Sequence, residues 1–318
     1  MDNNNLIELI NLKKYFATGG GMLHAVDDVN LTIKKGTTLG VVGESGCGKS
    51  TLGRTIIRLL DSTDGKIILD GENITHVKGK KLASVRQKMQ MIFQDPYSSL
   101  DPRKSVREIV SEPLIVSKKY KKGEIEDAVQ ELMDLVGVDE RLRNSYPHEL
   151  DGGRRQRVGI ARALALNPQF VVCDEPVSAL DVSIQAQVLN LLKRLQMQRG
   201  LTYMFVTHDL SVVKYISDEI CVMYLGQVVE KCSSKELFKR PLHPYTKALL
   251  EAIPTIDITR EHKRELLKGE ITSPINPKPG CRFAARCKYV CDKCSAPQSM
   301  REIEKEHFVS CCRVEEIS

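Results

Sequence analysis

Residues 43–51 read Gly43-Glu44-Ser45-Gly46-Cys47-Gly48-Lys49-Ser50-Thr51, which fits the pattern G-x-x-x-x-G-K-[ST]. The apolar stretch 37–42 before it predicts a strand, and apolar residues at helical spacing after it predict a helix. Glycines let such a loop surround phosphate groups with backbone N–H groups, and the N-terminal end of the helix adds partial positive charge. In this pattern Lys49 reaches the terminal phosphates and the Ser50 hydroxyl binds Mg²⁺. The stretch therefore predicts a strand–loop–helix phosphate site in an α/β core.

A second element, residues 170–176, is an apolar strand that ends in the acids Asp174 and Glu175. Two acids after a strand are, on their own, more often part of a solvated loop. Downstream of a phosphate loop, Asp174 is placed to hold Mg²⁺ through water, and Glu175 is placed to polarise an attacking water. We therefore expect the pair to complete the phosphate site.

The chain has 318 residues, enough for one large domain or two of ordinary size. Its 47 Lys and Arg exceed its 41 Asp and Glu by 6. We interpret this surplus as a solvated surface, with a basic face beside anionic lipid as the alternative. No stretch concentrates Lys and Arg among aromatic residues, so we expect no nucleic-acid partner.

No segment approaches the roughly 18 apolar residues that span a bilayer, and the N-terminus lacks a signal-peptide pattern. We expect a cytosolic chain that meets a membrane only through partners.

Strands that alternate with helices predict an α/β core with a parallel sheet. Between Pro96 and Leu150 the pattern changes to helical periodicity, which predicts a helical subdomain from about residue 95 to 158. Beyond Tyr224 the pattern weakens, and Pro, Lys and Cys dominate from Pro241 onward. We therefore predict a core domain over residues 1–235 and a small Cys-rich extension over residues 236–318.

Residues 150–157, Leu-Asp-Gly-Gly-Arg-Arg-Gln-Arg, resemble the L-S-G-G-Q signature of ABC ATPases. Other marks of that family occur in the family's order: Gln94 in Phe-Gln-Asp-Pro, the acids at 174 and 175, Ser-Ala-Leu-Asp at 178–181, and His208 in Thr-His-Asp. The resemblance covers about residues 6 to 318. It implies an ABC ATPase of the P-loop NTPase fold, which hydrolyses ATP with Mg²⁺ and closes on the nucleotide as a dimer.

The resemblance assigns roles to single residues. Glu175 is the expected base, Gln94 reaches toward Mg²⁺ and the membrane partner, and His208 contacts the γ-phosphate. An aromatic residue near the N-terminus should stack on adenine, and we choose Phe16, with Tyr15 as the alternative. The simpler possibility for both residues is that they only pack in the core. We expect ATP to contact Phe16, Gly43, Ser45, Gly46, Cys47, Gly48, Lys49, Ser50, Thr51 and Asp174.

In ABC ATPases the signature acts across the dimer, so Gly152 and Gly153 would cap the γ-phosphate of ATP held by the other subunit. Here Asp151 stands where Ser is usual, and Arg154 stands where Gln is usual. Asp is a good helix N-cap, so the substitution can be neutral. Alternatively its carboxylate repels phosphate by about 1–4 kcal/mol at a distance of about 4 Å unless Arg154 offsets the charge.

The segments Arg240–Thr246, Tyr146–Leu150 and Asp95–Pro102 are similar to segments of the ATPase subunits of oligopeptide and dipeptide importers, most of all the second ("F") ATPase. That resemblance implies import of peptides, or of nickel in some branches. It also implies as partners two permeases, a second ATPase subunit and an extracytoplasmic solute-binding protein, with the chain on the cytoplasmic face of the membrane.

Six of the ten cysteines fall between Cys281 and Cys312, which suggests a bound metal rather than disulfides. The importer family's tail pattern matches Cys281, Cys287, Cys294 and Cys311, and in that family the site is an iron–sulfur cluster. Four thiolates suit [4Fe–4S] or Zn²⁺, and Cys291 and Cys312 are spare candidates. Unliganded thiols in a loose tail are the third reading. We expect the other four, Cys47, Cys173, Cys221 and Cys232, to be packing residues.

Two other classes of ABC ATPase are open alternatives. DNA-repair and chromosome ATPases carry long coiled coils or zinc modules between phosphate loop and signature, whereas only 108 residues separate Gly43 from Asp151 here. Ribosome-associated ABC proteins normally have two cassettes in one chain, and this sequence has one.

Overall fold

The computed structural model describes residues 4–252 and 273–317. In chain order the strands are β1 (Asn5–Thr18), β2 (Gly21–Lys34), β3 (Thr38–Val42), β4 (Asp64–Leu69), β5 (Glu72–Asn73), β6 (Met89–Ile92), β7 (Phe170–Asp174), β8 (Thr202–Val206), β9 (Glu219–Tyr224), β10 (Gln227–Ser233), β11 (Arg301–Glu304) and β12 (His307–Val309). The helices are α1 (Lys49–Ile56), α2 (Gly79–Lys88), α3 (Pro96–Ser99), α4 (Val106–Ser117), α5 (Lys122–Val136), α6 (Gly152–Leu164), α7 (Val182–Arg199), α8 (Leu210–Ile216), α9 (Ser234–Lys239), α10 (Pro244–Glu251) and α11 (Val314–Ile317).

The described chain forms two compact units. The phosphate-loop unit comprises residues 7–32, 38–75, 206–252 and 273–317. The signature unit comprises residues 4–6, 33–37 and 76–205. The two names refer to residues 43–51 and residues 150–157, which lie in the respective units.

The phosphate-loop unit contains two sheets. The order β2-β1-β4-β5 describes the first sheet, in which β4 runs antiparallel to both β1 and β5. Strands β11-β12-β10-β9-β3 form a mixed sheet, in which only the β3–β9 pair is parallel and the other three pairs are antiparallel. Every residue of β3 is buried, as expected for a strand covered on both faces. This buried strand leads directly into the phosphate loop.

The aromatic core of this unit lies between β9, α10 and the cysteine-rich segment. Tyr224, Tyr245 and Phe283 are at most 2% exposed and belong to one apolar cluster. Their ring centroids lie 4.7 to 5.4 Å apart in edge-on or tilted arrangements, which aromatic pairs prefer. The extension after Tyr224 is therefore packed into the same core as the strand that precedes the phosphate loop.

The signature unit contains strands β8-β7-β6 and the helical block between β6 and β7. Strands β6 and β7 run parallel, and every residue of β7 and β8 is buried. Helix α4 begins with a capping box in which Ser105 and Glu108 each bind the other's backbone N–H. The predicted α/β core with a helical insertion and a Cys-rich end is confirmed, and the boundary at residue 235 stays a prediction.

The mixed sheet adds antiparallel strands to the parallel pairing that the sequence predicted. Strands β10, β11 and β12 lie where the apolar pattern weakens, and they pair antiparallel at one edge. Among the described residues, no helix has the length and apolar character that crossing a bilayer requires.

Candidate functional site

The phosphate loop joins β3 to α1, and two of its glycines are required by geometry. Gly48 has φ 103°, and a Cβ there would lie 2.0 Å from the Ala25 carbonyl oxygen. Gly43 has φ 151°, and its Cβ would lie 2.2 Å from the Met223 carbonyl oxygen. Residues with side chains rarely adopt these angles and would collide with backbone here. The fold therefore requires glycine at these two positions of the motif.

Lys49 lies inside the curve of this loop. It is 5% exposed, and its Nζ donates hydrogen bonds to the carbonyl oxygens of Gly43 at 2.7 Å and Glu44 at 2.9 Å. Helix α1 begins at Lys49 and has no side-chain cap, so the amides of its first turn keep their partial positive charge for an anion. Ammonium group and helix end together make a cationic concavity that suits phosphate.

The remaining loop residues differ in exposure. Ser45 and Gly46 are exposed, whereas Ser50 and Thr51 are half-buried in the first turn of α1. Cys47 is buried, and burial raises the pKa of its thiol, which keeps that thiol neutral. The loop therefore adds no thiolate charge that would repel a phosphate.

Two residues that the sequence analysis did not assign to this site also contact the loop. The Tyr245 hydroxyl accepts a hydrogen bond from the Glu44 amide at 2.9 Å. Arg286 donates to both carboxylate oxygens of Glu44, from Nη1 at 2.8 Å and from Nη2 at 3.1 Å. The residues lie 201 and 242 positions from Glu44, so no local pattern in the sequence signals either contact.

The hairpin of β1 and β2 carries both candidates for the adenine contact. Tyr15 stacks on His24 with ring centroids 3.9 Å apart, and its hydroxyl donates to Asp27. Burial, and then the Asp27 hydrogen bond, raise the pKa of Tyr15, so its hydroxyl stays a donor. Phe16 is half-buried, with Lys14 Nζ 4.8 Å from its ring centroid. Tyr15 is thus engaged on its ring and its hydroxyl, which favours Phe16 as the platform.

In the signature unit the parallel strands β6 and β7 bring Gln94 and Glu175 together. Both residues follow the carboxyl ends of these strands, where open α/β sheets place their ligand sites. Gln94 Nε2 donates to Glu175 Oε2 at 2.9 Å. Asp174, the last residue of β7, is 1% exposed. Glu175 has φ 45°, an angle uncommon for a residue with a side chain and often found at functional sites.

The signature residues form the first turn of α6. Asp151 is its N-cap and accepts a hydrogen bond from the Arg154 amide at 2.8 Å. Arg154 Nε also lies 3.3 Å from Asp151 Oδ2, so the unusual acid is paired with the unusual base. A Cβ on Gly153 would lie 2.7 Å from Ile184 Cγ2, which explains a glycine at this contact. The exposed end of α6 thus presents amide groups beside a charge-paired cap.

His208 lies in the phosphate-loop unit, between β8 and α8, with an exposed side chain. The next residue, Asp209, caps α8 by accepting from the Ser211 amide at 2.8 Å. Lys49 and His208 therefore belong to one unit, and Gln94 and Glu175 belong to the other.

Five cysteines line one pocket in the phosphate-loop unit: Cys281, Cys287, Cys294, Cys311 and Cys312. The four predicted ligands are thus brought together, with one of the two spare candidates. The tightest group is different, because the Sγ atoms of Cys291, Cys294 and Cys312 lie within 4.8 Å of one another. Cys294 belongs to both groups. All ten cysteines are free thiols, and the four expected to be packing residues are buried.

The donor set of this pocket fits a thiophilic metal group. Cys291 Sγ and Cys312 Sγ lie 3.9 and 3.7 Å from Cys294 Sγ, close to the separation of about 3.8 Å that tetrahedral Zn²⁺ with bonds of about 2.3 Å imposes. Burial raises the pKa of Cys281 to about 11 and that of Cys312 to about 12. A bound cation would reverse this effect, because thiolates are the ligating form. Such a set of thiol donors could bind Zn²⁺ or an iron–sulfur cluster.

Comparison with protein families gives two matches. Residues 26–178 match the family described as ABC transporter, and residues 229–294 match the family described as oligopeptide/dipeptide transporter, C-terminal region.

Three bacterial relatives match over nearly their whole length. The oligopeptide transport ATP-binding protein OppF of Bacillus subtilis is 51% identical over 312 residues, covering 98% of this chain and 97% of the relative. OppF of Salmonella typhimurium is 48% identical over 322 residues, covering 98% and 96%. The oligopeptide transport ATP-binding protein AppF of Bacillus subtilis is 49% identical over 319 residues, covering 96% of each.

Solved structures match the greater part of the chain. The ATP-binding cassette MJ0796, in a dimeric post-hydrolysis state bound to ADP and Pi, has a TM-score of 0.66 and 32% identity, covering 72% of this chain and 98% of that one. CbiO1 from Clostridium perfringens, part of the ABC transporter complex CbiONQ, has a TM-score of 0.67 and 29% identity, covering 75% and 92%.

Proposed function

We propose that this chain, an ATPase that belongs to the ABC transporter family in its oligopeptide/dipeptide branch, energises the import of di- and oligopeptides across a membrane. The observation that carries the proposal is the combination of two regions in one chain. An ABC ATPase region is followed by an oligopeptide/dipeptide transporter C-terminal region, and relatives named oligopeptide transport ATP-binding proteins are about half identical over 96–98% of the chain.

In the proposed mechanism the chain's own groups position and neutralise the triphosphate. Lys49 leaves its loop carbonyls for the terminal phosphates, and the first-turn amides of α1 bind phosphate oxygens. Ser50 and Gln94 would hold Mg²⁺, and Asp174 would hold it through water. Phe16 stacks on adenine, and His208 contacts the γ-phosphate.

Glu175 removes the proton of the attacking water in this proposal. Its carboxylate is held by Gln94 Nε2 at 2.9 Å, so one side chain fixes the direction of the base and also reaches the metal. Charge develops on the γ-phosphoryl oxygens in the transition state, where Lys49 offsets it, and Mg²⁺ held by Ser50 and Gln94 would supply further positive charge.

The signature residues Asp151, Gly152 and Gly153 act on ATP held by a second ATPase subunit. The amides of the first turn of α6 would face its γ-phosphate. Closure of the pair on ATP, and its opening after hydrolysis, would drive two permease subunits between inward-facing and outward-facing states. An extracytoplasmic solute-binding protein would deliver the peptide, and the chain would lie on the cytoplasmic face of the membrane.

The cysteine pocket holds a [4Fe–4S] cluster in this proposal, with Cys281, Cys287, Cys294 and Cys311 as ligands. The convergence of these four thiols on one pocket, where all four are buried or half-buried, supports this choice. The shorter Sγ distances among Cys291, Cys294 and Cys312 support Zn²⁺ as the alternative. The group would be structural, because no proposed ATPase step uses it.

Stimulation of ATP hydrolysis tests the transport function. The chain would be assembled with its permeases and partner ATPase in proteoliposomes, and the binding protein would be added with an oligopeptide or with Ni²⁺. We expect the peptide-loaded binding protein to raise hydrolysis, and Ni²⁺ to leave it at the basal rate. Stimulation by Ni²⁺ alone would assign the chain to a nickel importer, and stimulation by neither would contradict import of both solutes.

Metal analysis of anaerobically purified protein tests the cysteine site. We expect iron and sulfide in about equal amounts and broad absorption near about 400 nm, as for thiolate-bound clusters. Replacing Cys281 and Cys294 together with Ser should remove both. Stoichiometric zinc without iron would replace the cluster assignment, and iron retained in the double variant would overturn the ligand set.

A further inference from the structure

Two arginines adjoin cysteines that line the pocket. Arg282 follows Cys281 directly, and Arg286 precedes Cys287 directly. Phe283, between them, is 2% exposed and packs into the aromatic core of the phosphate-loop unit. The segment 281–287 therefore begins and ends with a cysteine and is held in the core by Phe283. Its two arginines contact other parts of the same unit.

Arg286 holds the phosphate loop through Glu44. Arg286 Nη1 and Nη2 both donate to the Glu44 carboxylate, and the side chains of Arg286 and Glu44 are 6% and 23% exposed. This hydrogen-bonded ion pair raises the pKa of Arg286. The Glu44 amide donates to Tyr245, and the Glu44 carbonyl accepts from Lys49, the phosphate-binding lysine. The position of Glu44 is thus set through its side chain by a residue that adjoins a pocket cysteine.

Arg282 holds the hairpin that carries the adenine platform. It donates to the Asp27 carboxylate and to the Leu225 carbonyl oxygen, and its side chain is 6% exposed. Asp27 also accepts from the Tyr15 hydroxyl, next to Phe16 in β1. Burial raises the pKa of Asp27, but the Tyr15 hydrogen bond and the Arg282 charge lower it by more, so the pKa lies below its usual value. Asp27 therefore remains an anion that binds the arginine and the hairpin together.

We propose that Arg282 and Arg286 are positioning residues that couple ligation of the cysteine pocket to nucleotide binding. This inference rests on the proposed metal site at the cysteines. A ligand bound to Cys281 and Cys287 fixes both ends of the segment, and the arginines then hold the phosphate loop and the adenine hairpin. Without that ligand the segment gains conformational freedom, and ordering it on nucleotide binding carries an entropic cost. Linkage requires the reverse effect as well, so nucleotide stabilises the bound metal group.

Equilibrium nucleotide binding to the full-length holoprotein tests the arginine contacts. All variants carry Glu175→Gln to prevent hydrolysis, and the Kd of a fluorescent ATP analogue is measured. We expect Arg286→Gln to raise Kd about tenfold, because charge-assisted bonds of this kind contribute that much. Arg286→Lys should recover part of the affinity. The matched control is Arg240→Gln, which removes a C-terminal ion pair with Glu304 and should leave Kd unchanged.

Removal of the same ion pair from the other side guards against a folding defect. Glu44→Gln should raise Kd as Arg286→Gln does, and the double variant should bind no worse than either single one, because partners in contact are not additive. Wild-type affinity in Arg286→Gln, or fully additive losses in the double variant, would overturn the contact.

Extraction of the metal by a chelator tests the coupling itself. We expect ATP to slow the loss of the purified protein's metal severalfold, and Arg282→Gln with Arg286→Gln to remove this protection. Equal extraction rates with and without ATP would overturn the coupling. Protein purified without any metal would refute the proposed metal site and the coupling with it, whereas Kd of Arg286→Gln would still decide the arginine contact. Neither measurement depends on which solute is transported.

Discussion

Glu175 combines an uncommon backbone angle with a side chain that a neighbour holds in place. Its φ of 45° turns the chain directly after the buried strand β7, and Gln94 Nε2 holds its carboxylate at 2.9 Å. Backbone angles of this kind cost about 1–3 kcal/mol and persist where the surrounding structure enforces them. Such a position suits a general base, because the orientation of its carboxylate is fixed before the water arrives.

Glu175→Gln should keep nucleotide affinity and lower the hydrolysis rate about a hundredfold or more, because general-base catalysis contributes that much. The amide preserves the size of the side chain and an oxygen that can accept from Gln94. Single-turnover hydrolysis in the assembled transporter measures the effect. Glu131→Gln, exposed on α5 in the same unit, serves as the control. A wild-type rate in Glu175→Gln would refute its role as the base.

Phe16→Ala should weaken ATP binding about tenfold, because stacking of a base on an aromatic ring contributes about 1–3 kcal/mol. Inorganic pyrophosphate lacks the base and should bind equally well to variant and wild type. Isothermal titration with both ligands separates the two contributions. Unchanged ATP affinity in Phe16→Ala would exclude the platform and return Tyr15 to consideration.

At the scale of elements, helix α6 explains how an acid can stand in the signature. Asp151 caps the helix through the Arg154 amide, and the Arg154 side chain pairs with its carboxylate at 3.3 Å. Both side chains are more than half exposed, so the pair itself adds little stability. Its effect is local, because the guanidinium offsets the negative charge at the helix end that would face phosphate.

Arg154→Gln should therefore lower turnover at the ATP site of the partner subunit, since it leaves the Asp151 charge without its partner. The double variant Asp151→Ser with Arg154→Gln should recover that activity, because it removes both charges. Residual ATPase of the assembled transporter in a Lys49→Ala background, which silences this chain's own site, measures both. Equal activities in the single and double variants would show that Asp151 does not repel phosphate.

Sequence reasoning predicted the elements that local patterns encode. Buried apolar strands such as β7 and β8, and the loop before α1, follow directly from runs of residues and glycine spacing. Strand β11 lies at the edge of its sheet, and β12 lies between β11 and β10. Both are short strands of mixed polarity, because antiparallel strands have no need of a continuous apolar run. These strands were consequently not predicted.

The features of the site that could not be predicted from the sequence are contacts between residues far apart in the chain. The spacing of the cysteines predicted a metal site, but only the fold places Cys312 in the pocket, with its Sγ 3.7 Å from that of Cys294. The pair of Arg286 and Glu44 joins residues 242 positions apart. Such a pair is invisible to periodicity, because its geometry depends on the aromatic core that positions the segment after Gly280.

For the whole molecule, the division into two units matches a division of chemistry. One unit carries the phosphate loop, the β1–β2 hairpin with Phe16 and the cysteine pocket, and the other carries Gln94, the acids at the end of β7 and the signature residues. In the proposed assembly each chain thus supplies groups to its own ATP and to the ATP of its partner. Bound nucleotide would then favour closure of the two ATPase subunits, and loss of nucleotide would favour their opening. A transport cycle needs such a dependence on nucleotide.

Concentrative peptide uptake measures directly whether ATP hydrolysis by this chain drives peptide import. Proteoliposomes with both permeases, the partner ATPase and this chain would be given labelled oligopeptide with the binding protein on one face and ATP on the other. We expect accumulation above the external concentration with the wild-type chain, and none with Lys49→Ala or Glu175→Gln. Accumulation to the wild-type level with Lys49→Ala, or hydrolysis of ATP with no movement of peptide, would contradict it.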